Sequence, residues 1–234
     1  MWGCARFFIA SAALTAPAIG QDEAPPFVLP SLIAEADHPE QFVPDGWRLF
    51  KLTYGDLNRD GRHDAAILMR ATDPSLIEAT DSEYYPTDDT NPFLLVIAFA
   101  EDGGYRRIAT HHHLLPDLLA PIHGDDAAEV TISRNVMSLT LGQLRGHEIY
   151  RFRWDGRKLA EIGYECSWVS GAEGHTGSLS ANYLTHRARV GEGNIQDGEA
   201  YRWVKLKPLP LKAIDDGALG EDHGKQVNGK ILPC

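Results

Sequence analysis

The stretch "HEIYRFRWDGRKLAEIGYE", residues 147–165, decides the fold. Its first half alternates, with Tyr150, Phe152 and Trp154 on one side of an extended chain. A period of two marks a strand that buries one face. Asp155-Gly156 follows, a pair suited to positive φ in a type I′ turn, and apolar residues then resume. The stretch predicts a β-hairpin.

The same reading extends outward in both directions. "WRLFKLTY" (47–54) alternates and places Phe50, Leu52 and Tyr54 on one face, and "AAILMR" (65–70) continues after a polar loop. "PFLLVIAFAEDGGYRRIAT" (92–110) reads as two strands around Asp102-Gly103. "EVTISRNVMSLTL" (129–141) reads as two more, turning near Arg134-Asn135. "GSLSANYLT" (177–185) and "AYRWVKL" (200–206) add two further candidates. Strands at hairpin spacing predict a mainly β protein: an antiparallel, sandwich-like domain of about nine strands. One or two short helices are expected, around Ser31–Ala36 and within "HHHLLPDLLAPI" (111–122), where Pro116 interrupts. Residues 72–92 are polar and rich in turn formers, and predict a long exposed loop.

The ends of the chain read differently. "MWGCARFFIASAALTAPAIGQDEA" has one early cation, Arg6, an apolar run from Phe7 to Leu14, and small residues up to Gly20. That is the pattern of a secretory signal peptide, with cleavage expected after Gly20. The apolar run is shorter than the roughly 20 residues that span a bilayer. The expected organisation is a signal peptide over 1–20, a lead-in over 21–46, a β domain over 47–208 and an irregular tail over 209–234. The expected location is the periplasm or the extracellular medium, with no membrane insertion after cleavage. The net charge of -11 becomes -12 on loss of Arg6. Such a surface repels phosphate backbones and anionic membranes, which argues against nucleic acid as a partner, and it tolerates cations. Cys166 and Cys234 remain after cleavage. An even count in an oxidising compartment predicts a disulfide between them, stabilising by about 2–4 kcal/mol.

The chemistry concentrates in "GDLNRDGRHDAAILM" (55–69). Calcium takes six to eight oxygens, several of them charged. Counting from Asp56, the loop places Asn58 third, Asp60 fifth, Gly61 sixth at the sharp turn, the Arg62 carbonyl seventh and Asp64 ninth. This follows the first nine positions of an EF-hand loop, while the twelfth holds Ile67 where a bidentate glutamate belongs. The competing reading is a solvated turn whose Asn and Asp side chains bond their own backbone. Three carboxylates crowded without a cation repel one another, which favours calcium, with a dissociation constant of about 10⁻⁴–10⁻³ M. Its expected role is structural, pinning the loop between two strands.

The loop resembles the D-x-[DN]-x-D-G-x-x-D calcium loops of integrin-α and FG-GAP repeats, which also sit between strands. That resemblance implies Asp56, Asn58, Asp60, Arg62 (through its carbonyl) and Asp64 as calcium ligands. Those families repeat the loop around a propeller, whereas this chain carries it once. Over about residues 42–187 the chain also resembles a family of uncharacterised exported bacterial proteins. The shared features are the "PDGW" lead-in, the single "GDLNRDGRHD" loop, the "FRWDGRKLAEIG" hairpin and the "SANYLT" strand. Glu161-Ile162 departs from the leucine-isoleucine of that hairpin. The resemblance implies the fold and the calcium loop and no reaction.

Other candidate groups are sparser. In a strand, His111 and His113 share a face and His112 opposes them; with His123 they could form a transition-metal site, or simply a polar strand end. "HEIYR" lacks the second histidine of a zinc protease motif, and no G-x-S-x-G elbow is present. Tyr84, Tyr85, Trp168, Tyr183 and Trp203 could line a binding face. Tyr84 and Tyr85 are the more suggestive pair, and the others are expected in the core. The leading expectation is an exported, calcium-stabilised, non-enzymatic module of the bacterial envelope that binds a surface protein or glycan. The alternative is an exported hydrolase with a dispersed acid or histidine site.

Overall fold

The computed structural model describes residues 28–81, 83, 87–114, 128–143, 145–171, 174–216, 219, 226–227 and 230–231. The expected signal peptide, Tyr84, Tyr85, His123, Cys234 and the helix expected after Leu114 lie outside the described residues. The fold is mainly β. In chain order the strands are β1 (Glu35–Ala36), β2 (Trp47–Gly55), β3 (Asp64–Ala71), β4 (Ile77–Ala79), β5 (Thr87–Asp89), β6 (Phe93–Glu101), β7 (Gly104–Leu114) and β8 (Ala128–Ser133). They continue as β9 (Val136–Gln143), β10 (Gly146–Trp154), β11 (Leu159–Val169), β12 (His175–Asn182), β13 (Arg187–Asn194), β14 (Gly198–Lys205), β15 (Gln226–Val227) and β16 (Lys230–Ile231).

Two antiparallel sheets carry the structure. One has five strands in the order β1-β7-β6-β3-β2; the other is a seven-stranded meander, β14 through β8. They face each other across a core that includes Leu68, Leu95, Ile97, Leu139, Phe152 and Leu179. The sheets meet where β2 runs beside β8. There the Thr53 hydroxyl donates to the Val130 carbonyl at 2.7 Å. Gly55 permits the approach, because a Cβ at that position would overlap the Ile132 side chain.

A second core lies on the opposite face of the five-stranded sheet. Ala65, Ile67, Met69, Leu94, Val96 and Ala98 pack there against Phe42. Strands β3 and β6 are therefore buried on both faces, which explains why "AAILM" and "FLLVIAF" run apolar without alternating. The lead-in supplies the cover, without the helix expected over 31–36. Instead, β1 pairs with β7 and a 3₁₀ turn spans Pro39–Phe42. Arg107 holds the lead-in extended by donating to the Ile33 and Leu32 carbonyls at 3.0 and 3.2 Å. Those tertiary bonds outweigh the weak local preference of a segment bounded by Pro30 and Pro39.

Other expectations shift in detail. The described strands number sixteen where about nine were expected: β1, β4, β5, β15 and β16 are two or three residues long and give little period to read, and the eight-residue β13 was not anticipated. The described part of 72–92 is largely exposed and also carries local structure: a 3₁₀ turn spans Pro74–Leu76, β4 pairs with β5, and Asn91 is buried against the Asp73 backbone. Phe50 does not share a face with Leu52 and Tyr54. A bulge between Leu49 and Lys51 turns Phe50 to the inter-sheet core, while Leu52 packs on the outer one. The Asp155-Gly156 turn is a four-residue loop. The Asp155 carboxylate accepts from the Arg157 and Lys158 amides, and of the pair only Gly156 has positive φ. The two-residue turn with both φ values positive occurs instead at Arg134-Asn135, at 53° and 59°. The tail joins the body too: the Ile214 amide donates to the Leu159 carbonyl, and the His111 ring Nδ1–H donates to the Ile214 carbonyl at 2.7 Å. Among the described residues no helix is long and apolar enough to cross a membrane.

Candidate functional site

Strands β2 and β3 end at Gly55 and resume at Asp64, leaving an eight-residue excursion that carries the predicted ligands. Its side chains are organised by their own backbone. Asp56 accepts from the Arg59 amide at 2.6 Å and from the Gly61 amide at 3.1 Å. Asn58 accepts from the Asp60 amide, and Asp60 accepts from the Arg62 amide at 2.8 Å. That last bond stabilises the Asp60 carboxylate and holds its pKa below the usual range. Gly61 and Arg59 both take left-handed conformations, at φ values of 85° and 68°, and these close the wrap. The position of Gly61 was legible from the motif; that of Arg59 was not, since a long side chain seldom adopts this conformation.

Asp64 differs from the other three. It is fully buried, and its two oxygens accept from the Leu57 amide at 2.7 Å and the Ala100 amide at 3.0 Å. Burial pushes its pKa up, against the pull of those amides. The residue ties the loop to the far end of β6. Arg62 contributes a side-chain ion pair with Asp102 at 2.8 Å, exposed on both sides. The predicted donors are all oxygens, which suits a hard cation. Among the described residues, no three His, Cys, Asp or Glu side chains are grouped so as to hold a metal ion.

The histidine run divides in the same way. His111 is buried and engaged with Ile214, and His112 lines an open groove with Arg107, Thr110 and Asp215. A second open groove, lined by Glu35, Asp37, Glu101 and Asp102, lies beside β1. Two further buried carboxylates, Glu148 and Glu161, line neither groove. Glu148 accepts from the hydroxyls of Tyr150 at 2.9 Å and Tyr164 at 2.7 Å. Glu161 is pushed up to about 7 by burial, with Lys212 pulling weakly the other way. It sits opposite Phe152 at the bulge in the β10–β11 pairing, on the core side.

A further group was missed in the sequence. Trp203 was expected in the core, yet it is 65% exposed, and Tyr201, two residues earlier on β14, is 56% exposed. Both stand on the outer face of the seven-stranded sheet. The guanidinium of Arg187 lies 4.9 Å from the Trp203 ring centre, and that of Arg189 lies 4.6 Å from the Tyr201 ring centre. The alternation in "AYRWVKL" was legible, but it does not say which half faces inward; Val204 takes that role. Trp168 and Tyr183 are half-buried, nearer the expectation. The chain matches no known family model, no curated protein and no solved structure.

Proposed function

We propose that this is an exported β module of the bacterial envelope, stabilised by one calcium ion at residues 56–64, that works by binding a surface partner or glycan. The observation that carries the calcium reading is the closed wrap itself. Asp56, Asn58 and Asp60 direct oxygens onto one short backbone circuit, with Gly61 at its left-handed turn. A cation would relieve the repulsion between the Asp56 and Asp60 carboxylates, and Asp64 would anchor the far end. A Cys166–Cys234 disulfide belongs to the same proposal. Cys166 is buried on β11. The binding role is supported by the exposed rings of Tyr201 and Trp203.

Thermal unfolding of residues 21–234 in EDTA and in millimolar calcium tests the ion. Calcium at 100 times its dissociation constant adds about 2.7 kcal/mol of stability, a rise of several degrees in Tm. Asp60→Ala should abolish the rise. A wild-type protein indifferent to calcium would reduce the loop to a self-bonded polar turn.

A further inference from the structure

We infer that the outer face of β13 and β14 binds an acidic polysaccharide, with Tyr201 and Trp203 stacking on sugar rings and Arg187, Arg189 and Lys205 pairing with its carboxylates. This rests on the proposed binding role and names its site and ligand class. The register fixes the arrangement. Arg187 pairs with Lys205, Arg189 with Trp203 and Gly191 with Tyr201, so all these positions share one side of the sheet. Ring and cation alternate across the two strands, each guanidinium lying over one ring. Rings two residues apart on a strand stand about 7 Å from each other. Both remain more than half exposed despite the arginines, so ring surface stays open to a ligand.

The surface beside the rings is low. A Cβ at Gly191 would collide with the Ser178 hydroxyl and the Tyr201 ring, so the glycine lets these groups settle onto the strand. Ser178 and Ser180 continue the face on β12. Their hydroxyls donate to Glu199 at 2.5 Å and to Glu165 at 2.9 Å, and Arg151 donates to Glu165 at 3.0 Å. On the outer side of β13 and β14 three cations therefore face one carboxylate, Glu199, on a chain of net charge -11. A local basic patch is complementary to an acidic ligand, while the net negative charge of the whole chain opposes the approach of a second copy. A ligand with charges spaced along apolar rings matches this alternation. Nucleic acid presents denser phosphate, which the surrounding acidic surface opposes.

The test is calorimetric titration of the full chain with oligogalacturonate at low salt, beside neutral dextran. Poly(U) and vesicles of phosphatidylglycerol serve as anionic comparisons. The expected result is binding to oligogalacturonate alone, weakened about tenfold or more by Trp203→Ala and again by Arg187→Gln with Arg189→Gln. Added salt should weaken it as well. These side chains are exposed, so circular dichroism should show the variants folded. Absence of oligogalacturonate binding overturns the assignment. So does binding that depends on the arginines while ignoring Trp203, and so does equal or tighter binding of poly(U) or the vesicles through the same residues. If saccharides fail while calcium still raises Tm, the module reading survives and only this face is misassigned. If calcium fails while oligogalacturonate binds, the reverse holds.

Discussion

The two sheets solve the burial problem differently. The five-stranded sheet is covered on both sides, by the other sheet and by the lead-in, so neighbouring residues of β3 and β6 are equally buried. Among the described residues the seven-stranded sheet is covered on one side only, so strands such as β8 and β10 alternate and the outer face is open. Continuous apolar runs therefore mark the part of the molecule that holds it together. The alternating strands carry the exposed face on which the proposed binding is placed.

The sharpest way to break this comparison is truncation of adjacent residues. Ile67→Ala and Leu68→Ala point to opposite faces of β3, and each should cost about 2–5 kcal/mol in urea unfolding. In the seven-stranded sheet Leu139→Ala should cost a similar amount, while exposed Thr131→Ala should stay within about 0.5 kcal/mol. A mild Ile67→Ala would mean that the lead-in does not form a true second core.

The polar groups inside the seven-stranded sheet give the next effects. The Glu161 pKa rises from 4.5 to about 7 on folding, so the folded state favours its protonated form. This contribution is fully present below pH 4.5 and is lost as pH climbs through 7, at a cost on the order of 3 kcal/mol. Glu161→Gln should flatten that part of the stability profile; an unchanged profile would place the side chain in contact with water. Tyr164→Phe removes one of the two donors to buried Glu148 and should cost about 1–3 kcal/mol, read from the urea midpoint. A double-mutant cycle with Glu148→Gln would assign the loss to that bond. The wet face of β14 gives a small effect as well: Trp203→Ala should change stability by no more than about 1 kcal/mol. A larger loss would show that the ring is structural.

Much of this architecture can be traced to particular residues. Tyr150, Phe152 and Trp154 announce the central hairpin by their period. The order Asp56, Asn58, Asp60, Gly61 predicts a tight polar wrap, because small oxygen-bearing side chains and one left-handed glycine close it locally. Each of these depends on neighbours within a few residues, which is why the chain alone determines them.

Three features depend on distant partners and were decided by the tertiary structure. Phe50 crosses to the other core because of a bulge, and one extra residue reverses every side chain after it. Asp64 is an internal clamp because β6 brings the Ala100 amide to it from thirty-six residues away. Trp203 faces water because Val204 and Leu206 fill the core position that either half of an alternating edge strand could have taken. A period of two specifies that a strand has two faces, and only the packing of the second sheet selects which one is buried.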